Sequence, residues 1–422
     1  MSQTNGGEAM ESYARLYRMW EEGGWSATGI DFSIDVQHWR KRLDLRQREA
    51  ALWNYAMFLH GVQAMGRALV PVLDATDDLP QRSYLATQIA DHARAQVFFD
   101  RFLREVAGQG SDPTSTLQVV DRHLTWGFRQ LFAELERCAD ALRKKPRDKP
   151  LLAETITVCH IIVEGVLAIP GHHFIQRYFE DNAVMPGLSS GLAHIAREES
   201  RHVMFGTRML RDLVASSDEC REAVVEVGNR VLPWMVGVFV PPRPNGSYAE
   251  CFDFTLEEIY AFGLRSLETK LERVGIRPDE LKLLCLDDRS LSYEERARRL
   301  LVLILAGVVG DDRREPTLDP ESFEILFDGM TRAIDVEVAT ALGGPIEWTF
   351  TDAEPWHIVV TDGHAQAKPG SGGTPALSLE MSSGDWAKVA IGRSDSRRAL
   401  LTRKLKVHGS WPAKTKLAKL FR

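Results

Sequence analysis

The chain has 422 residues, 44% of them hydrophobic and 26% charged. That is enough for two or three globular domains. The net charge of −7 gives no global pull toward nucleic acid. Cys138, Cys159, Cys220, Cys251 and Cys285 are scattered with no Cys-x-x-Cys spacing, so reduced thiols and a cytoplasmic location are expected. The first residues, Met1-Ser-Gln-Thr-Asn-Gly-Gly-Glu, carry no basic or apolar leader. The longest uninterrupted apolar run, Leu300 to Val309, is too short to cross a bilayer, and no transmembrane segment is expected.

Tyr13 to Trp39 is rich in aromatics, with Trp20, Trp25, Phe32 and Trp39, and is expected to clamp across a helical bundle. Apolar positions at helical spacing follow from Asp44 to Asp74, then Gln81 to Val106 and Thr116 to Leu142. A fourth helix, Leu152 to Tyr178, carries Pro170-Gly171, which should kink or unwind it. A fifth spans about Gly191 to Val214, with further helices at Cys220 to Val238, Leu256 to Val274 and Tyr293 to Val308. Long helices joined by short polar turns predict a mostly α bundle.

The fifth helix holds Glu199 and His202 three apart, on one face. Ferritin-like di-iron bundles use two Glu-x-x-His pairs and two further Glu residues. An ungapped internal repeat connects this helix to the second. It matches Asp91 with Glu198, Arg94 with Arg201, Phe98 with Phe205, Arg101 with Arg208 and Leu103 with Leu210. His92 and Ala95 fall opposite Glu199 and His202. Of the other histidines, His160, His172, His173 and His194 read as packing residues, with only His160 and His173 placed to face a site.

Ile30-Asp-Phe-Ser-Ile-Asp35, Val163-Glu-Gly-Val-Leu-Ala168 and Glu198-Glu-Ser-Arg-His-Val-Met-Phe-Gly206, in this order, resemble the small-subunit-like relatives of ribonucleotide reductase, in particular the ligand-binding oxidases. The resemblance spans Tyr13 to Leu271 and implies a ferritin-like bundle. In that pattern each metal half-site takes a Glu and a Glu-x-x-His. Glu164, Glu199 and His202 match one half. The other departs: Val62 stands for a Glu, His92 for the next Glu and Ala95 for the His. Cys159 stands for a tyrosine near the site. The resemblance therefore implies at most one iron or manganese ion per chain, held by Glu164, Glu199, His202 and His92, or none.

Asp311 to Pro320 is acidic and proline-bearing and reads as a linker. After it come a helix from Phe323 to Leu342, strands near Ile346, Trp356, Gly363 and Ala376, helices at Ser383 to Gly392 and Asp395 to Thr402, and a strand at Lys404 to Gly409. Trp348-Thr-Phe, Ala376-Leu-Ser-Leu-Glu-Met, Asp385-Trp-Ala and Arg398 to Gly409 resemble the sterol carrier protein type 2 domain, over Thr317 to Arg422. The expected organisation is a bundle over 1–310, a linker over 311–320 and a smaller α+β domain over 321–422. The two resemblances together imply a non-haem metal oxidoreductase of specialised metabolism acting on an apolar or acyl-tethered substrate. The alternative is an inactive bundle that binds lipid or a partner. The basic residues after Gly392 are either a solvated basic face or a surface that suits an acyl carrier protein, coenzyme A phosphates or anionic lipid, and a homodimer is a further expected assembly.

Overall fold

The structure, a computed structural model, describes residues 10–240, 247–282 and 288–421. It divides into two compact units, Met1–Leu281 and Lys282–Arg422. Cys285 lies outside the described residues.

The first unit is a ferritin-like helical bundle. Its elements are α1 (Tyr13–Glu22), α2 (Ser33–Lys41), α3 (Leu45–Ala75), α4 (Leu79–Arg101), α5 (Pro113–Val120), α6 (Trp126–Lys144), α7 (Lys149–Ile156), α8 (Ile169–Asp181), α9 (Pro186–Ser216), α10 (Asp218–Val236), α11 (Ser247–Glu250) and α12 (Leu256–Val274). Side-chain caps set the starts. Asp44 and Gln47 form a reciprocal capping box at α3, and Asp78 caps α4. The helix expected over Thr116 to Leu142 is two helices, because Thr125 caps α6 after a short 3₁₀ turn at Asp121–His123.

The fourth expected helix is continuous but not regular. Between α7 and α8 lies a π-helical segment, Thr157–Ala168, twelve residues long. Pro170 falls in the first turn of α8, where the hydrogen-bond ladder changes pitch, and not inside a regular helix. The stretch Lys149–Asp181 and helix α3 are each long and apolar enough to cross a membrane, although polar and charged residues interrupt both. Their most apolar windows are 89% and 56% buried within the protein, as core helices of a bundle are.

The N-terminal arm is helical. Phe32 and Trp39 are buried, and both pack on Phe102. Trp20 and Trp25 are half-buried, because their indole N–H groups turn to the polar layer of the bundle. Asp35, fully buried, accepts from the backbone N–H groups of Gly187 and Leu188 at 2.9 and 2.8 Å, which caps α9 from the arm.

The second unit contains α13 (Tyr293–Leu305), α14 (Pro320–Ala333), α15 (Val336–Thr340), α16 (Ser383–Ala390), α17 (Ser396–Leu401) and α18 (Trp411–Lys416). Strands β1 (Ile346–Phe350), β2 (Trp356–Thr361), β3 (His364–Pro369), β4 (Leu377–Met381) and β5 (Lys406–Gly409) form one sheet in the order β3-β2-β1-β4-β5. Only β1 and β4 pair in parallel. Phe323 and Phe327 of α14 stack on Trp386, and Phe327 also stacks on Trp356, to build the core. The helix expected from Phe323 to Leu342 breaks where Ile334 bridges Phe421 and the Asp335 N–H donates to the Leu420 carbonyl.

The unit boundary falls ahead of the expected linker. Helix α13 groups with α14, to which Arg298 and Arg299 pair through Glu321 and Asp328. The 311–320 stretch is anchored: Arg393 donates to the carbonyls of Gly307, Val308, Asp312 and Arg314.

Candidate metal centre

Three buried side chains converge at the middle of the bundle. Glu164 comes from the π segment, His92 from α4 and His202 from α9. Glu164 Oε1 lies 2.9 Å from His202 Nδ1 and 3.2 Å from His92 Nε2. One donor atom from each of the three lies within 4.8 Å of the others. They are 2%, 5% and 1% exposed for Glu164, His92 and His202. Close approach of α9 to the π segment makes this possible: a Cβ on Gly206 would lie 2.1 Å from the Cβ of His160, so only glycine fits.

Outer groups hold the three in place. His202 Nε2 meets Asp91 Oδ2 at 3.1 Å, and Asp91 Oδ1 accepts from the Trp20 indole at 2.8 Å. A carboxylate on the far nitrogen fixes the ring and leaves Nδ1 facing the centre. His160 Nε2 meets Gln88 Oε1 at 3.0 Å and is 4.0 Å from Glu164 Oε2. Burial pulls the His160 imidazole down to about 4, so it is neutral at physiological pH. Burial also lowers His202, but the carboxylates of Glu164 and Asp91 on either side outweigh it and raise His202 to about 10. Burial raises Glu164, and the facing imidazoles of His202 and His92 overcome that and leave it well below the carboxylate range.

Glu199 sits apart from this cluster, although it lines the same cavity. Its Oε2 is 3.0 Å from Nε2 of His172. The cavity, about 60 Å³, is walled by Met57, Phe58, Val62, Met65, Phe128 and Phe132 and reached by His92, Glu164 and Glu199. Val62 therefore presents an apolar wall where the resemblance has a ligand, and Ala95, 3% exposed, offers only a methyl. Cys159 is fully buried, and burial raises its thiol well above the usual range; it is inert in this setting.

The structure brings Glu164, His202 and His92 together and does not bring Glu199 into their cluster; sequence reasoning set all four at one site. It chose His173 over His172: His173 stacks on Phe262, and His172 meets Glu199. Asp91 was visible only as a repeat partner of Glu198. The indoles of Trp20 and Trp25 were read as packing, yet each donates to a buried carboxylate, Trp25 to Glu198 at 2.7 Å.

The donor atoms fit an ion. His92 Nε2 and Glu164 Oε2 are buried without a hydrogen-bond partner, and such atoms are costly unless something compensates them.

The ribonucleotide reductase small-chain family matches residues 10–229, and the SCP-2 sterol transfer family matches residues 331–422. Among solved structures, a variant of an R2-like ligand-binding oxidase with an aerobically reconstituted Mn/Fe cofactor is similar at 20% identity, with a TM-score of 0.55. The match covers 62% of this chain and 94% of that one. The R2-like ligand-binding oxidase from Sulfolobus acidocaldarius is similar at 21% identity, with a TM-score of 0.53, over 67% of this chain and 98% of that one. At these identities the likeness is one of fold.

Proposed function

The chain belongs to the ribonucleotide reductase small-chain family, and we propose that it is a metal-dependent oxidase with one tightly held iron or manganese ion. The observation that carries this reading is the convergence of His92, Glu164 and His202 on a point where His92 Nε2 and Glu164 Oε2 have no other partner. Fold relatives that carry a Mn/Fe cofactor support the choice of metal. The count of one follows from Val62 and Ala95, which remove the ligands that the family pattern gives a second ion.

When bound, the ion supplies a one-electron couple for oxidation by dioxygen. The chain's own groups do the rest. Glu164, His92 and His202 would hold the ion, with Glu199 as a fourth donor from the cavity wall. Asp91 accepts the Nε2 proton of His202 and so keeps Nδ1 free for the ion. Binding there would require His202 to give up its second imidazole proton. Phe58, Val62, Met65 and Phe132 exclude water and present an apolar surface to substrate.

The substrate in this reading is an apolar or acyl-tethered molecule of specialised metabolism, free or carried on coenzyme A or an acyl carrier protein, in the cytoplasm. The SCP-2 match supports a second unit that binds lipid-like molecules. A homodimer fits this reading as well. The second reading, an inactive bundle that binds lipid or a partner, is favoured by the same Val62 and Ala95.

Metal analysis of protein produced with iron and manganese supplied tests the choice. One tightly bound ion, lost in Glu164→Gln, with oxygen consumption stimulated by apolar or acyl-tethered compounds, is the expected result. Metal-free protein under every loading condition, with Glu164→Gln as stable as the parent, establishes the inactive bundle.

A further inference from the structure

The end of the chain carries a charge that the rest does not. From Arg393 to Arg422 there are ten basic residues and one acid, Asp395, a net +9 against −16 for residues 1–392. Several of these cations have internal partners. Arg393 donates to backbone carbonyls, Lys404 pairs with Asp385, Lys406 pairs with Glu380, and Lys416 donates to the Ala341 carbonyl. Arg397, Arg398, Arg403, Lys414 and Lys419 are exposed, and among the described residues no carboxylate pairs with their side chains. Arg403 holds φ 60° in the turn that ends α17, a conformation in which glycine is usual. A long cation is kept there at a steric cost.

Bare apolar side chains stand among these cations. Leu401 at the end of α17 and Trp411 at the start of α18 are 85% and 79% exposed, the two highest values for large apolar residues among those described, and Leu400 is 40% exposed. Between α17 and α18 runs β5, which has a strand neighbour on one side only. Lysine on such an edge guards against pairing with a foreign strand, and Lys406 fits that role. Edge protection gives no reason for a bare tryptophan and leucine at its two ends. Four residues of strand span about 14 Å. Leu401 and Trp411 therefore flank the edge, with Arg403, Lys404 and Lys406 between them in the chain.

That arrangement selects the partner. A protein partner buries one contiguous apolar core inside a polar rim, and side chains at opposite ends of a strand do not form one. A bilayer sets no such condition. Each apolar side chain enters the headgroup region by itself, while arginine and lysine lay their stems beside it and keep their charges at the lipid phosphates. We propose that the free edge of the second unit, from α17 through β5 to α18, docks on an anionic lipid bilayer. Leu400, Leu401 and Trp411 enter the headgroup layer, and Arg397, Arg398, Arg403 and Lys414 meet its charge. This concerns the outside of the unit and goes beyond the reading of a lipid-like molecule bound by it. It stands whether or not the bundle holds an ion.

The test is flotation of the full chain with phosphatidylcholine vesicles containing about one-third phosphatidylserine, against vesicles of phosphatidylcholine alone. The chain should float with the anionic vesicles only, and less as salt is raised. Arg397→Gln, Arg398→Gln and Arg403→Gln combined should weaken partitioning roughly a hundredfold, about fivefold for each charge removed from an anionic surface. Leu401→Ser with Trp411→Ser should weaken it by more than about tenfold and leave the salt dependence in place. Circular dichroism checks both variants, and the charge variant decides the matter if the apolar one does not fold. No flotation, equal flotation with the two kinds of vesicle, or undiminished binding of a folded variant overturns the proposal. Sedimentation of the lipid-free chain gives a further check. A dimer that Leu401→Ser with Trp411→Ser splits would show that a second copy covers this edge, and that too overturns it.

Discussion

The α4 and α9 sides of the bundle carry the same outer frame around different interiors. On one side Asp91 accepts from Trp20 and lies 3.8 Å from Arg201. On the other, Glu198 accepts from Trp25 and lies 3.2 Å from Arg94. Inside Asp91 stands His202, and inside Glu198 the matching position is Ala95. The electrostatic result differs accordingly. Burial raises both acids, but His202 reverses this for Asp91, which ends lowered. Glu198 has burial and the neighbouring Asp91 charge against it and ends raised. An outer frame can thus persist after the ligand it supports is gone, and its presence alone does not identify a working half-site.

The arm that supplies both indoles offers the largest perturbation. Deleting residues up to Lys41 removes Phe32, Trp39, the two indole donors and the Asp35 cap of α9 together. Each buried aromatic contributes roughly 1.5–3 kcal/mol. The melting temperature should therefore fall by roughly 10 °C or more for a domain of this size. An unchanged melting curve shows that neither side depends on the arm.

Substitution inside the frame separates the two sides next. Glu164→Gln or His202→Ala should cost at least about a hundredfold in Mn(II) affinity, since even supporting groups cost 10–100-fold. Ala95→Gly, on the matching side, should leave that affinity unchanged. Equal losses from the two sides, measured by Mn(II) titration, contradict the asymmetry.

Much of this was legible before the structure. Helical periodicity marked the long helices, and Glu-x-x-His with the Glu164 segment marked two of the three residues of the buried cluster, His202 and Glu164. The repeat alignment even set Asp91 against Glu198. What could not be read was the phase of α8. Counting by threes and fours assumes a regular α-helix, and the twelve-residue π segment turns everything after it onto another face. That shift carries His172, and not His173, to Glu199. The split at Thr125 and the anchoring of residues 311–320 by Arg393 likewise depend on a single cap and on tertiary hydrogen bonds, for which the local sequence offers no period.

A half-buried lysine gives a pH test of the Glu164 side. Lys270 packs behind Gly165, the residue after Glu164, and donates to Ser266. Burial, with a smaller push from Arg273, lowers its amine to about 8. The unfolded chain keeps that proton up to about 10.4, so it binds more protons than the folded chain between the two values. Stability from this group is therefore lost as pH falls from about 10.4 to 8 and is regained as pH rises through that window. Lys270→Met should be more stable than the parent at pH 7 by about 1–3 kcal/mol, with the gap closing toward pH 10. Denaturant melts at the two pH values check it, and a pH-independent difference means that packing and not charge is responsible.

The finest test exchanges the indoles one at a time. Trp20→Phe and Trp25→Phe each keep a ring and remove one N–H donor. Asp91 is the more deeply buried acceptor, 1% exposed, and its lowered value means it is charged at neutral pH. A hydrogen bond to a charged group contributes about 1.5–3 kcal/mol, against about 0.5–1.5 kcal/mol for a neutral one. Glu198 is raised to about 7, closer to the neutral case, so its loss should fall in the lower range. Trp20→Phe should thus destabilise the metal-stripped chain by about 1 kcal/mol more than Trp25→Phe. The two should differ again in metal affinity, because only Asp91 orients an inner imidazole. Trp20→Phe weakens Mn(II) binding in this account and Trp25→Phe leaves it unchanged. Equal effects on both readouts would mean that the His202 side and the Ala95 side of the bundle are electrostatically equivalent.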